Sequence, residues 1–239
     1  MEPSGRKALV PQRVGYKNDK FGGLLTHPVK DTRHQGLKHE AEYCLDLLMS
    51  AGIEQAGLDV FIPAHKDDET WAANWFAANG ITPGELIAFH PGASDAVKLW
   101  PAASFARLAE DLTRRYAAKI VLIGGPETGG IAAEIISSSK VSILDMTAKT
   151  TVGQMAGILR RCRLLVSNDS GPLHVGAAAG THVIGLFLRD RPGINPDRWR
   201  PLGPKAFFLV DKDGSIPVEE VLGLAEQIFR QDSQSMFYW

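Results

Sequence analysis

Residues 163–187, RLLVSNDSGPLHVGAAAGTHVIGLF, decide the fold of this protein. The run RLLVS is apolar and has the length of a buried strand, GPLHVGAAAG has a helical pattern, and THVIGLF again has a strand pattern. A strand, a helix and a second strand in this order form a βαβ unit. The stretch therefore predicts two parallel strands joined by a helix.

The same alternation extends over most of the chain. From about residue 85, strand-like and helical runs alternate in the order LIAFH, FARLAEDLTRRYA, KIVLIG, IAAEIISS, VSIL and VGQMAGILRRC. After residue 187 come a Pro- and Arg-rich loop to about residue 204, the strand-like AFFLV and a final helix starting near Pro217. We therefore predict an α/β fold with a doubly wound, Rossmann-like parallel sheet over residues 81–239.

The first 80 residues have a different character. They contain the strand-like LLTHPV, the amphipathic helix HEAEYCLDLLMSAG and the aromatic-rich ETWAANWFAANG. This stretch is too short and irregular for a second complete doubly wound domain. We predict that residues 1–80 form an incomplete N-terminal α/β portion, the closing part of such a domain.

The composition is that of an ordinary globular protein, with 239 residues, 44% of them hydrophobic, and a formal net charge of -1. Such a balance gives no general attraction for nucleic acid, so we expect no nucleic-acid partner. Cys44 and Cys162 lie in apolar patterns without CxxC spacing, which predicts buried, reduced thiols. No apolar run approaches about 18 residues and the N-terminus lacks a signal-peptide pattern, so we expect a cytoplasmic location.

The loop HPGASDAVKLWP, residues 90–101, follows a predicted strand and is a candidate anion site. Gly92, Ala93 and Ser94 let backbone N–H groups approach an anion, and Lys98 adds a positive charge. The spacing is not that of a Walker loop. An ordinary connecting loop with a solvated Lys98 is the alternative.

The loop GGPETGG, residues 124–130, follows the next strand and opens a helix. Glu127 is placed to accept hydrogen bonds from ribose hydroxyls, as the acidic residue of dinucleotide-binding folds does. The alternative is that Glu127 only complements the positive end of the helix that it begins.

The loop beginning SNDSGPLH at Ser167 is the most informative stretch. Asn168, Asp169 and Ser170 are all good N-cap residues, Gly171 permits close approach, and His174 lies one helical turn further on. These features predict a phosphate at the helix N-terminus. A capped, buried helix with a hydrogen-bonded histidine is the alternative.

Two other chemistries fit this loop poorly. Ser170 is not in a GxSxG motif and His174 is on the same helix, which argues against a serine hydrolase. Asp169 and His174 form no HxxxH or HExxH pair, so we expect neither a metal nor another cofactor. The arginines of the Pro-rich loop have three possible roles, as a rim over the donor, as a patch for acceptor phosphates or as solvated charges: Arg189, Arg191, Arg198 and Arg200.

Several motifs in order resemble those of one family. HPGAS…KLWP, GGPE, DMTAKTTVGQMAGIL and NDSGPLHVGAAAG followed by NPDRWRPLGP are similar to motifs of the ADP-heptose:lipopolysaccharide heptosyltransferases, glycosyltransferase family 9. The match runs over about residues 85–230, and RVGYKND, LLTHPV and HEAEYCLDLLMSAGI also resemble the end of the family's N-terminal domain. The resemblance implies a GT-B fold, with residues 1–80 from the acceptor-binding domain and 81–239 as the domain that binds the nucleotide sugar.

The resemblance also implies a set of donor-binding residues. It places Ala93, Ser94 and Lys98 at the phosphates and Glu127 at the ribose. Thr150 would contact the edge of the adenine. The diphosphate and sugar would be surrounded by a further group: Asp169, Ser170, Gly171 and His174.

The reaction implied is a metal-independent, inverting transfer of heptose from ADP-heptose to a lipopolysaccharide core acceptor, at the inner face of the cytoplasmic membrane or in the cytoplasm. In the family an aspartate in a first strand and glycine-rich loop acts as the base. Nothing in MEPSGRKALVPQRVG resembles that loop, and Asp19 and Asp31 follow no recognisable parallel strand, so no catalytic base is assigned.

Two other functions remain open at this stage. One is a nucleotide-sugar-binding module without catalysis, which works with a partner chain or by self-association. The other is a GT-B-like enzyme that uses another nucleotide sugar, such as an epimerase or a different transferase, because a fold alone does not fix the substrate.

Overall fold

The computed structural model describes residues 10–18, 20–54, 57–211 and 215–235. Asp19 and the last four residues lie outside the described part of the chain. The chain divides into two compact units, one from residues 1–58 and 191–200 and the other from residues 59–190 and 201–239.

The helices and strands follow the order expected from the sequence. The strands are β1 Val14–Tyr16, β2 His27–Val29, β3 Leu86–His90, β4 Lys119–Leu122, β5 Ile143–Asp145, β6 Leu164–Asn168, β7 Val183–Phe187 and β8 Ala206–Val210. The α-helices are α1 Glu40–Ser50, α2 Lys66–Ala78, α3 Ala102–Tyr116, α4 Gly129–Ser138, α5 Val152–Leu159, α6 Gly171–Ala178, α7 Pro196–Trp199 and α8 Val218–Ser235.

The first unit contains β1, β2, α1 and α7. Strands β1 and β2 pair in parallel, and Asp31 comes shortly after β2. The prediction that Asp31 follows no parallel strand is therefore wrong. Three-residue strands are too short to give a recognisable pattern in the sequence. Asp31 is bound to Arg33, whose side-chain hydrogen bond lowers the pKa of the carboxyl to about 2.

Arg198 also has a role that the sequence did not reveal. Its Nε donates to a carboxylate oxygen of Glu40 at 2.8 Å, and its Nη1 donates to the carbonyl oxygen of Arg33 at 3.0 Å. Arg198 therefore fastens the segment 191–200 to the start of α1 within the first unit. It is therefore not a solvated charge.

The second unit is built on a six-stranded parallel sheet with the order β5-β4-β3-β6-β7-β8. All five residues of β3, β6 and β7 are buried, because helices cover both faces of a doubly wound sheet. The prediction of an α/β fold with a doubly wound parallel sheet is confirmed.

Helix α6 lies unusually close to this sheet at Gly176. A Cβ at this position would stand 2.6 Å from Leu165 Cδ2, which is too close, and 3.0 Å from Val183 Cγ1, which is a tight contact. The glycine therefore sets the distance between α6 and strands β6 and β7. As a result, the N-terminus of α6 is held at the carboxyl edge of the sheet.

Helix α2 packs on α5 in the second unit. A Cβ at Gly157 would meet Ala72 Cβ at 3.0 Å, and Glu69 forms ion pairs with Arg160 and Arg161. Helix α2 therefore belongs to the second compact unit, which begins at residue 59.

The sequence analysis placed the boundary between acceptor and donor domains at residue 80. That functional boundary stays a prediction.

The two cysteines differ in their surroundings. Cys162 is buried, as predicted, and burial raises the pKa of its thiol. Cys44 is exposed, so the prediction that it is buried is wrong. It lies next to Tyr43, which is the buried residue of α1, and consecutive helical residues point in different directions.

Candidate functional site

The strand order brings two of the three unusual loops together. In the sequence of strands β5-β4-β3-β6-β7-β8, the direction of winding reverses between β3 and β6. His90 at the end of β3 lies opposite Ser167 of β6, so the loops after these strands start side by side. Ligands of open α/β sheets bind in the crevice at such a reversal.

Asn168 fastens these two loops to each other. Its side chain is fully buried, its Nδ2 donates to the carbonyl oxygen of Pro91 at 2.7 Å, and its Oδ1 accepts from the N–H of Trp100 at 3.1 Å. One amide thus holds both ends of the loop after β3. The sequence suggested Asn168 as a helix cap, but it belongs to β6 and the N-cap of α6 is Ser170.

Lys98 and Asp169 form an ion pair across the crevice. Lys98 Nζ lies 2.6 Å from Asp169 Oδ2, and the side chains are 19% and 8% exposed. The alternative of a solvated Lys98 is therefore wrong. Asp169 does not cap the helix either, since its carboxylate faces Lys98.

Ser170 is the N-cap residue of α6, yet its side chain does not cap the helix. Its Oγ lies 2.9 Å from Nδ1 of His90 instead. Among the described residues, the α6 N-terminus therefore has no side-chain cap. Burial lowers the pKa of His90 to about 4, against a smaller opposing effect of Glu127, so the imidazole is neutral at pH 7.

A cavity of about 290 Å³ opens beside these loops. Gly124 and Gly125 of the loop after β4, Thr150 and Gly171 all contribute to its wall. Two predicted site residues, Thr150 and Gly171, thus meet at one cavity. A Cβ at Gly171 would enter open space, so the glycine leaves the N-terminus of α6 accessible.

The remaining predicted residues are not among the described residues that line this cavity. Glu127 is exposed. Its carboxylate lies against Gly125, where a side chain at position 125 would collide with it. Both interpretations of Glu127, as a ribose ligand and as a first-turn acid, fit this position. Ala93 is half-buried, Ser94 is exposed, and His174 is half-buried on α6.

The sequence analysis gave no functional role to His90 or Thr128, and it did not predict that Asn168 joins the two loops. Thr128 is fully buried, and its hydroxyl has no hydrogen-bond partner among the described residues. It faces both glycine loops, because a Cβ at Gly92 would stand 2.6 Å from Thr128 Oγ1 and a Cβ at Gly124 would also collide with it. For His90 and Asn168, the available signal was a polar residue at the end of a buried strand.

A metal centre and a membrane span were also considered. Over residues 10–18, 20–54, 57–211 and 215–235, no cluster of three or more His, Cys, Asp or Glu side chains could hold a metal ion. In the same ranges, no helix combines the length and the apolar character that crossing a bilayer requires.

The fold defines the general class first. The structure resembles a glycosyltransferase family 9 protein from Veillonella parvula, with a TM-score of 0.78, 23% identity and coverage of 95% of this chain and 69% of that one. It resembles E. coli ADP-heptose lps heptosyltransferase II equally, with a TM-score of 0.78, 23% identity and coverage of 95% and 72%. These likenesses show a shared α/β fold.

The sequence then gives the family. The model of glycosyltransferase family 9 (heptosyltransferase) matches residues 11–218, so the chain belongs to this family of glycosyltransferases. Lipopolysaccharide heptosyltransferase 2 of Escherichia coli is 25% identical over 211 residues, which is 83% of this chain and 58% of that protein. The protein of the same name from Salmonella typhimurium is 27% identical over 212 residues, again 58% of its length. The chain thus spans less than two thirds of these relatives.

Proposed function

We propose that this chain binds ADP-heptose and transfers its heptose to a lipopolysaccharide core acceptor, with inversion and without a metal ion. Residues 81–239 would bind the donor and residues 1–80 would belong to the acceptor side. One observation carries the proposal: Gly171 at the α6 N-terminus lines the cavity, and Asp169, two residues earlier in the chain, pairs with Lys98 at the reversal of the sheet.

The chemistry of the site suits a nucleoside diphosphate. The cavity wall includes the apolar side chains of Val152 and Met155, which can contact the faces of a base, and Thr150, which can bond to its edge. Gly171 opens the α6 N-terminus to a phosphate. Lys98, which pairs with Asp169, would share its charge between that carboxylate and the diphosphate.

The same groups would assist the transfer. An acceptor hydroxyl attacks the anomeric carbon, a new C–O bond forms, and the bond to the diphosphate breaks with its electron pair left on ADP. Lys98 and the α6 N–H groups would stabilise the negative charge that develops there. The proton of the hydroxyl passes to a base that no residue of this chain is assigned to supply.

The relatives' names support the choice of donor and acceptor. They describe lipopolysaccharide heptosyltransferases, and the solved relative is an ADP-heptose enzyme. We therefore infer a lipopolysaccharide acceptor, a cytoplasmic location at the inner membrane surface and no resident cofactor. The alternative is a nucleotide-sugar-binding module, in which a partner chain or a second copy completes the enzyme. Binding of the donor without transfer would favour this alternative.

The first test measures ADP binding by calorimetry. We expect Lys98→Gln to weaken ADP binding by about 10- to 100-fold, because a charge-assisted hydrogen bond contributes about 1.5–3 kcal/mol and the variant leaves Asp169 unopposed. Lys119→Gln is the matched control, because Lys119 is exposed at the opposite edge of the sheet.

Three results would count against the proposal. Equal binding of ADP, UDP and GDP would reject adenine recognition, and equal loss in both lysine variants would reject a local site. Binding of ADP-heptose with no transfer to a heptose-accepting lipopolysaccharide core would leave the module as the correct function.

The second test uses the open space at Gly171. We expect Gly171→Ala to raise the Kd for ADP by about 10-fold with little effect on folding, because the methyl group enters the cavity and meets no protein atom. The control is Gly223→Ala in α8, where a Cβ also meets nothing. It should stabilise the fold by about 0.5–1 kcal/mol and leave the Kd unchanged. An unchanged Kd in Gly171→Ala would place the nucleotide elsewhere.

A further inference from the structure

His90 is a buried polar group that none of the sequence motifs explained. It is the last residue of β3, and its side chain is 3% exposed. Its Nδ1 faces β6 and the start of α6, at 2.9 Å from Ser170 Oγ and 3.4 Å from Ser167 Oγ. The opposite edge of the ring, with Nε2, faces the loops after β3 and β4, because a Cβ at Gly92 would stand 3.1 Å from Nε2.

The hydrogen bonds leave one proton of this group unused. Ser167 donates its hydroxyl proton to the carbonyl oxygen of Asn168 at 2.8 Å. His90 and Ser170 share one hydrogen bond, whereas a neutral imidazole and a hydroxyl carry one proton each. One donor therefore remains available to a ligand.

The direction of the hydrogen bond between Ser170 and His90 decides which atom keeps that donor. When Ser170 donates to Nδ1, the proton of the neutral ring stays on Nε2. Thr128 Oγ1 lies near the same side of Gly92 as Nε2 of His90. Nε2 makes no hydrogen bond within the described residues, and neither does the hydroxyl of Thr128.

Two polar groups without a partner among the described residues therefore lie beside Gly92, in the loop after β3. We propose that His90, held as the Nε2–H tautomer by Ser170, donates a hydrogen bond to the diphosphate of the nucleotide sugar. The inference rests on the proposed function and adds a neutral donor to the charged Lys98. Ser170 acts as a positioning residue, through His90.

The tautomer is tested by NMR on protein labelled with ¹⁵N-histidine, with the His90 signals assigned from His90→Asn. We expect a protonated Nε2 and an unprotonated Nδ1 in the free protein at pH 7, and a shift of the Nε2 signal when ADP saturates the site. A protonated Nδ1, or an Nε2 signal that stays constant at saturating ADP, would overturn the proposal.

Affinity provides the second measurement, with a matched pair of variants. Asparagine keeps an acceptor near Nδ1 but cannot reach the position of Nε2, whereas the amide of glutamine can reach it. We expect His90→Asn to raise the Kd for ADP by about 10-fold, as the loss of one hydrogen bond predicts, and His90→Gln to stay within about 3-fold of the wild type. Circular dichroism checks that both variants are folded.

Ser170→Ala tests the positioning role. We expect it to raise the Kd several-fold in the wild-type background and to have no effect in His90→Asn, because Ser170 acts through the imidazole. An equal effect in both backgrounds would overturn that role. If the wild type fails to bind ADP, both the proposed function and this proposal are rejected, whereas equal ADP binding by wild type and His90→Asn rejects this proposal alone.

Discussion

Replacing Asn168 by leucine is expected to destabilise the unliganded protein by about 3–5 kcal/mol. Leucine fills a similar volume but leaves the N–H of Trp100 and the carbonyl oxygen of Pro91 without the partners that Asn168 supplies. Both residues are buried, and each unsatisfied buried group costs about 1–3 kcal/mol. The free energy of unfolding is measured by urea denaturation and linear extrapolation.

The matched control for this substitution is Asn74→Leu. Asn74 is exposed on α2, so its replacement should change the free energy of unfolding by no more than about 0.5 kcal/mol. The Asn168 variant should also bind ADP more weakly while it remains folded, because the loop that carries Lys98 loses both attachments. A loss of stability below about 1 kcal/mol would mean that the loop is held by other contacts.

The sheet could be predicted from the sequence because its strands are buried on both faces. A strand such as LIAFH then becomes a continuous apolar run, and helices such as α3 become periodic patterns between such runs. The short strands β1 and β2 gave no comparable signal. Consequently the first unit was predicted less completely than the second.

The pairing of side chains could not be predicted in the same way. Lys98 and Asp169 are 71 positions apart, and their contact depends on β3 and β6 being neighbours. Serine is a common helix-capping residue, and only the structure shows that the Ser170 hydroxyl is hydrogen-bonded to His90 instead. The sequence thus suggested Thr150 and Gly171, which line one cavity. It did not reveal the pairing of Lys98 with Asp169 or of Ser170 with His90.

His90 should make the fold sensitive to acid. A histidine in the unfolded chain takes up a proton at about pH 6.5, whereas burial holds the pKa of folded His90 at about 4, against the opposing effect of Glu127. Between these values the unfolded state binds more protons than the folded state. Stability is therefore fully present above about pH 6.5 and is lost as the pH falls towards 4.

The expected loss is on the order of 3 kcal/mol between pH 7.5 and 4, at about 1.4 kcal/mol for each pH unit over the range in which only the unfolded histidine is protonated. His90→Asn cannot titrate in this range but keeps an acceptor for Ser170. The free energies of unfolding of the two unliganded proteins, measured across this range, should therefore converge or cross as the pH falls. Curves that stay parallel would mean that His90 is protonated in the folded protein as readily as in the unfolded chain. That result would contradict the inference that folded His90 stays neutral in this pH range.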